Sequence, residues 1–474
     1  MIASQPLETV QHRLAQHYVT KLRQVGQALQ RNRENSSHWF RVLEQDWAQI
    51  KHWQQWTADH SNDNVQSAEL CVAFGTDGHE YLTIRQSTGE RLIWYRQALA
   101  AAQQRSDDKR VWQLLYDVGA MAYQTGAFEE AEQCAKRLLE IGKTAKDRLS
   151  LGHGWFITGN LHSHHSELDA AEAAFNKALK NFERCHAEMM VGHALQGIAR
   201  IMIFRGQYQE ALIHAERYLS IIQTFGREAD FSLAYHTLSN IHTRLGNLSD
   251  AKGYALKAVD NSRRLGFVRM LPSNLLILGY AELALNELDA AWDHFQETIT
   301  GSRRNSAKFD LTAATYSLGD VRMRQKQYSE ALSYYQEALN LANESRIAAY
   351  QSLCSLQMAY IYALRHEIDE SRKVLQVGAE IALHMKSDIL LAKALIPAVK
   401  LWQDMDESET AAEWSGLLSI RTEHAEPQLV QNICKVLEAE IGTEFYQQAA
   451  KRGQQLRLDA AVSNMLKMLV SKSS

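Results

Sequence analysis

The chain has 474 residues, 46% of them hydrophobic and 22% charged, with a formal net charge of −4; this is the composition of an ordinary folded protein. The slight acidic balance excludes broad electrostatic binding to nucleic acid, which needs a basic surface. Five scattered cysteines, Cys71, Cys134, Cys185, Cys354 and Cys434, form no CxxC pair; they argue against a disulfide or zinc framework and for reduced, packed thiols.

Residues 1–65 read as a helical cap rich in tryptophan. Trp39, Phe40, Leu43, Trp47 and Ile50 recur at helical spacing, and Trp53 and Trp56 extend the stripe. Packing this cap onto the array that follows is the plain use of such a stripe. No basic stretch followed by an apolar run opens the chain, so no signal peptide and a cytoplasmic protein are expected.

Residues 66–425 carry a repeat of forty. Ala131, Ala171, Ala211, Ala251, Ala291 and Ala331 lie forty apart, Ser371 and Ala411 continue the series, and Arg91 stands one step before it. Twelve positions before these markers come Gly119, Gly159, Ala199, Ser239, Gly279, Gly319 and Ala359. Four positions after them come Ala135, Phe175, Ala215, Ala255, Phe295, Tyr335 and Leu375. A fixed period of this length is the signature of a stacked array in which each unit is a helix–turn–helix. Small residues recur because two helices cross closely there and a larger side chain would force them apart. Turns are expected near Gly126, Ser166, Gly206, Gly246, Asn286 and Lys326, and glycine C-caps at Gly226 and Gly266. Asp147, Asp230, Asp310 and Asp388 are candidate N-caps. The first unit is degenerate, because Gly75 and Gly78 weaken its leading helix. The eighth has Pro397 inside its first helix. Residues 426–474 read as a C-terminal helical cap. The longest apolar stretch, residues 389–402, is interrupted by Lys393, Pro397 and Lys400, so no membrane span is expected.

Residues 318–339, with Leu318-Gly319, Tyr328, Ala331, Tyr335 and Ala338 in register, resemble the tetratricopeptide repeat. The resemblance implies an all-α, right-handed α-α superhelix of about eight or nine units, each extended by about six residues beyond the family's usual thirty-four. A second resemblance lies at the ends. Leu437-Glu438, Gly442, Phe445, Gly453 and Leu458-x-Ala460-Ala461, with His12, His17-Tyr18, Leu43-Glu44, Trp47 and Ile50, are similar to the segments flanking the repeats of bacterial STAND-type signalling NTPases and transcription regulators. This likeness implies the sensor half of such a regulator, without its NTPase.

No enzyme is expected. The triplet Gly142-Lys143-Thr144 has Arg137 where a phosphate loop needs glycine, so Gly142 reads as a helix cap. His162, His164 and His165 have no carboxylate or thiol at ligand spacing, and neither metal nor cofactor is expected. The informative surface is the row of first helices lining the concave face. Counted from the small-residue register, its inward positions include His153, Phe156, Asn160, His193, Gln196, Arg200, His236, Asn240, Arg244, Tyr280, Tyr316, Asp320, Arg324 and Tyr360. By the family resemblance, an asparagine at the ninth position (Asn160, Asn240) would bond a peptide backbone, and Arg200 and Arg244 would grip a carboxylate. A solvated face with no ligand is the bland alternative. Three functional readings follow: an adaptor binding a protein or peptide, a regulator sensing a small ligand or peptide pheromone, and a scaffold that self-associates into a homo-oligomer through the Trp-rich cap.

Overall fold

The computed structural model describes residues 4–31, 36–77, 79–165, 167–225, 228–267, 269–305, 307–421 and 427–471. Among these the backbone forms helices and no strand. In chain order the helices are α1 (Ser4–Arg31), α2 (Ser36–Asp59), α3 (Val65–Thr76), α4 (His79–Arg85), α5 (Thr88–Gln104), α6 (Asp108–Thr125), α7 (Phe128–Thr144) and α8 (Arg148–His164). Next come α9 (Leu168–Arg184), α10 (Glu188–Phe204), α11 (Tyr208–Phe225), α12 (Glu228–Arg244), α13 (Leu248–Leu265), α14 (Leu271–Ala284), α15 (Leu288–Asn305) and α16 (Lys308–Arg324). The chain continues through α17 (Tyr328–Ser345), α18 (Ala348–Leu364), α19 (Ile368–Met385), α20 (Asp388–Asp404), α21 (Ser408–Ser419), α22 (Pro427–Ile441), α23 (Thr443–Gly453) and α24 (Leu458–Ser471). They divide into two compact units, Met1–Ala284 and Leu285–Ser474.

The forty-residue period resolves into two halves of twenty. Left-handed backbone, with φ between 50° and 82°, recurs at Ser106, Gly126, Lys146, His186, Gly206, Gly246, Gly266, Asn286, Lys326, Arg346, His366, Lys386 and Asp406. Ser166, Gly226 and Ser306, which would complete the series, lie outside the described residues. Each such residue ends a helix. Around Gly126, the next amide, Ala127 N–H, donates to the Ala122 carbonyl at 2.9 Å. Equivalent bonds run from Ala187 to Phe182, from Gln207 to Met202 and from Gln327 to Arg322. They satisfy the last carbonyls of each helix and turn the chain back within two or three residues. From α6 to α20 the helices hold 17 or 18 residues, α14 with 14 excepted. The extra length of the repeat is therefore shared by both helices and is not spent on loops.

Caps at the other end differ from expectation. Asp147 does cap α8, accepting from the Ser150 amide at 2.7 Å. Asp230 and Asp310 lie inside the first turns of α12 and α16, and Ser387 rather than Asp388 caps α20. An acid one turn in still favours the helix dipole. Gly142 is no cap: it sits inside α7, where a Cβ would meet the Leu151 amide nitrogen at 2.8 Å, and Ala145 takes the cap position. Its neighbour Arg137 is helical too, so no phosphate loop exists there.

In the first unit the hairpins are α3/α5, α6/α7, α8/α9, α10/α11 and α12/α13. The degenerate entry repeat carries an additional short helix, α4, between its partners. Arg91 takes the marker position buried, with Nη1 donating to Thr83 Oγ1 at 2.9 Å. The markers Ala131, Ala171, Ala211 and Ala251 are fully buried. Trp47 stacks on Trp94 of α5 (5.8 Å between centroids) and meets Tyr81 of α4 edge-on, so the tryptophan stripe packs α2 against the entry repeat. The side chains of Trp39 and Phe40 lie outside the described set, as does Gly78.

In the second unit α16/α17, α18/α19 and α20/α21 form hairpins, with α15 against α16. The serine marker Ser371 is as buried as alanine and donates its hydroxyl to the Ala359 carbonyl (2.9 Å), tying together two positions of the repeat. Pro397 lies within α20, as expected. At the end, α24 folds back on α19 and α20, and Arg372 donates to the Leu469 carbonyl at 2.9 Å. α21 and α23 cross backbone to backbone: a Cβ on Gly416 would lie 2.3 Å from the Ala450 carbonyl oxygen. Gly453, one of the C-terminal motif residues, is buried in the same crossing.

Candidate functional site

Within the first unit, successive first helices touch one another: α6 with α8, α8 with α10, α10 with α12 and α12 with α14. Elements crowd on the inner side of a curved stack, so this row is its concave face. The curve is deep. Arg269, between α13 and α14, donates to Gln124 Oε1 at the end of α6 across 145 residues (3.2 Å), and α2 touches α13.

The ninth positions Asn160, Arg200, Asn240 and Tyr280 are all half-buried, as a groove lining should be. Two of them meet. Arg200 Nη2 donates to Asn160 Oδ1 at 2.7 Å, one period apart, while the Asn160 amide donates to its own helix at the Phe156 carbonyl. Both ends of Asn160 are thus engaged, and its observed role is to position Arg200. Burial pushes the Arg200 pKa down, and Tyr123 is the ionisable neighbour that opposes the shift. Arg244 is exposed in the last turn of α12, and Gln196 and His193 are half-buried on α10. His193 lies 3.8 Å from Asp230 and faces Phe156 and Tyr218.

Two of the inward histidines, His153 and His236, are drawn into packing, while His193 is half-buried. His153 is buried, stacked on Tyr116 (4.0 Å) and edge-on to Phe182; desolvation pushes its pKa down to about 3. His236 shares a 3.2 Å hydrogen bond with Asn274 Oδ1, and burial pulls its pKa to about 4. Both are neutral at pH 7 and act in packing between repeats, because apolar neighbours disfavour the charged ring. Phe156 packs edge-on to Phe175.

In the second unit the inner residues form a packing network of their own. Tyr335 donates to Asp320 Oδ1 at 2.6 Å, Gln357 donates to the Tyr316 hydroxyl at 3.2 Å, and Tyr316 is buried against Tyr335 and Tyr350. Tyr360 is half-buried beside Lys393 and Pro397. Arg324 is exposed at the end of α16. Of the aromatic rim expected here, Tyr316 is core and Tyr360 is half-buried against it.

The histidine cluster disperses. His164 stacks on Phe128 (4.0 Å), His162 pairs with Glu167, and His165 ends α8. Among the described residues no group of three His, Cys, Asp or Glu side chains is placed to hold a metal, and no helix is long and apolar enough to cross a membrane. A cleft of about 320 Å³ opens between the N-terminal helices and the entry repeat. Of its arginines, Arg23 pairs with Asp77, Arg105 with Glu69, and Arg110 donates to Thr76 Oγ1 at 2.6 Å. Sequence reasoning missed Arg269 and Gln124: neither lies at an inward position of the repeat register, and only curvature brings them together.

The sequence model described as "Tetratricopeptide repeat" matches residues 313–345, which span α17 and most of α16. Tonsoku-like protein of Bos taurus is 22% identical over 249 residues, covering 48% of this chain and 17% of that protein, so the match spans well under two thirds of this relative's length. Among solved structures, a Rap protein complexed with Competence and Sporulation Factor is similar over 80% of this chain and 100% of its own, at 16% identity and a TM-score of 0.52. The Rap conjugation gene regulator of plasmid pLS20, in complex with the Phr* peptide, matches at 14% identity and 0.50, covering 70% and 96%. NprR in complex with its cognate peptide NprX matches at 13% and 0.50, covering 69% and 97%. These likenesses show the fold. The chain has the fold of a tetratricopeptide-type helical solenoid.

Proposed function

We propose that this tetratricopeptide-repeat protein is a non-enzymatic adaptor or sensor that binds a protein or peptide on the concave face of its first unit. The observation carrying the reading is the Asn160–Arg200 pair. A half-buried arginine is held in place by an asparagine one repeat away, on an inner face that keeps Gln196, Asn240 and Tyr280 partly open. Pre-positioned donors on a rigid concave surface give affinity and register without a folding step at the interface. The peptide complexes of the similar pLS20 Rap regulator and NprR structures support it. Residues 1–65 and 426–474 would act as caps to an array over 66–425 in a cytoplasmic protein. The likeness to the sensor region of STAND-type regulators belongs to this proposal and rests on the terminal sequence motifs.

The test is affinity capture from the native host with mass-spectrometric readout. Wild type is compared with a variant carrying Asn160→Ala, Arg200→Ala, Asn240→Ala and Arg244→Ala. A partner retained by the wild type and lost by the still-helical variant is the expected outcome; retention by both removes the groove from the mechanism.

A second reading, a regulator that changes compactness on binding, is favoured by the Arg269–Gln124 contact, which joins distant points of the first unit. It predicts a radius of gyration that shifts when the captured partner is added, measured by solution scattering.

A further inference from the structure

On the second helices of the repeats, the residue two after the marker is on the outer side. It is exposed and polar at Gln133, Asp293, Ser333 and Lys373, and small at Ala173. On α11 it is Ile213, 65% exposed. On α13, one period later, it is Gly253, where a Cβ would meet nothing within 4 Å. One turn along α13, Leu256 is 42% exposed. The two helices are neighbours: Leu212, beside Ile213, and Tyr254, beside Gly253, belong to one packed cluster over Leu238 and Ile241 of α12. A protruding aliphatic side chain and a dent therefore lie side by side, at the same height because they are one period apart.

The charges around them are split in the same way. Glu216 of α11 and Lys257 of α13 are exposed, and among the described residues neither has an ion-pair partner in the chain. Lys257 lies over the Tyr254 ring, 5.2 Å from its centroid. Arg217, which holds the equivalent place on α11, is already paired with Glu183. One helix thus offers a knob and an anion, and its neighbour offers a dent and a cation. A surface divided like this is complementary to itself. A two-fold axis running between α11 and α13, parallel to them, lays α11 of one copy on α13 of the other, and does so twice. Opposite charges then face each other across the contact, which fixes its register.

We propose that the outer face of α11 and α13 is the interface of a homodimer. Ile213 of each copy seats over Gly253 of the other, Leu256 adds apolar contact beside it, and Glu216 pairs with Lys257 across the contact. This surface is separate from the tryptophan stripe, whose Trp47 and Trp53 are buried inside the chain. It also leaves the concave face open, so the dimer carries two grooves directed away from each other. The proposal stands independently of what the groove binds.

Sedimentation of the full chain over a micromolar dilution series tests it. Wild type is expected to pass from twice the mass of one chain toward a single chain on dilution. Ile213→Ala and Gly253→Ile are each expected to weaken the dimer by about tenfold or more, the scale of losing a central contact. The double variant Ile213→Ala, Gly253→Ile is expected to recover it, because knob and dent have exchanged helices. Gly253→Ile is expected to melt no lower than wild type, since α13 has room for the side chain and glycine is a poor helix former, so its lost dimer is not a lost fold. A wild type that is monomeric throughout overturns the proposal. So does a dimer that survives both single variants, and so do two single losses that the double variant does not recover. A monomer that captures a different protein through Ile213 would give the face to that partner and overturn the second copy as its occupant.

Discussion

At the scale of single residues, the repeat conceals a set of size matches. Where the position twelve before the marker is glycine, the position four after it is aromatic in three of four repeats: Gly159 with Phe175, Gly279 with Phe295 and Gly319 with Tyr335. Ala199, Ser239 and Ala359 instead accompany Ala215, Ala255 and Leu375. A Cβ on Gly319 would lie 2.6 Å from the fully buried Tyr335 ring, and Phe175 is wedged between Gly159 and Gly197, each a would-be 2.8 Å contact. Helix propensity alone would make Gly319→Ala stabilising by about 1 kcal/mol. Here overpacking wins, at roughly 1–3 kcal/mol, because a ring held on all sides cannot retreat. Gly319→Ala is therefore expected to lower the chemical-denaturation midpoint. Gly253→Ala, whose Cβ would meet nothing within 4 Å inside α13, is expected to raise stability by about 0.5–1 kcal/mol. The alternation of small positions was legible in the sequence, but which aromatic fills which gap was not, since that depends on where each ring points.

Elements are held at their C-terminal ends. Many helices have no side-chain N-cap bond, as at Ala127, Ala187, Gln327 and Ile347, while among the described residues left-handed residues at twenty-residue spacing close the preceding helices. Only some of those residues are glycine. Lys146 is exposed at φ 56°, a conformation that costs a residue with a Cβ about 1–2 kcal/mol. Part of the relief from glycine is offset by the greater freedom of glycine in the unfolded chain. Lys146→Gly is expected to stabilise by about 0.5–1 kcal/mol, and Gly126→Ala, at φ 82°, to destabilise by about 1 kcal/mol. Thermal melts monitored by circular dichroism check both signs. The repeat register announced turns at Gly126, Gly206, Gly246, Asn286 and Lys326 and a glycine cap at Gly266; Lys146, His186, Arg346, His366 and Lys386 in the same role carry no turn signal, because the left-handed residue there is imposed by packing of the next helix.

For the molecule as a whole, the strongly lowered histidines His153 and His236 both belong to the first unit. A histidine whose folded pKa lies below its unfolded value of about 6.5 contributes stability above that pH, and the contribution fades as pH falls toward the folded pKa of about 3 to 4. The first unit is thus expected to loosen between about pH 6.5 and 4. Hydrogen exchange should show α8 and α12 losing protection before α16 and α18, and a His236→Gln variant should weaken that dependence. What the sequence determined by itself was the local unit: the helix pairs, their forty-residue spacing and the close crossings, because these rest on contacts between residues near in the chain. Tertiary structure alone decided that His153 and Tyr316 belong to packing, that α24 returns onto α19 and α20, and that Arg269 reaches Gln124 across 145 residues. Curvature is the sum of small rotations at every repeat interface. No single stretch of sequence encodes that sum, so the contact between Arg269 and Gln124 becomes visible only once the array has been folded.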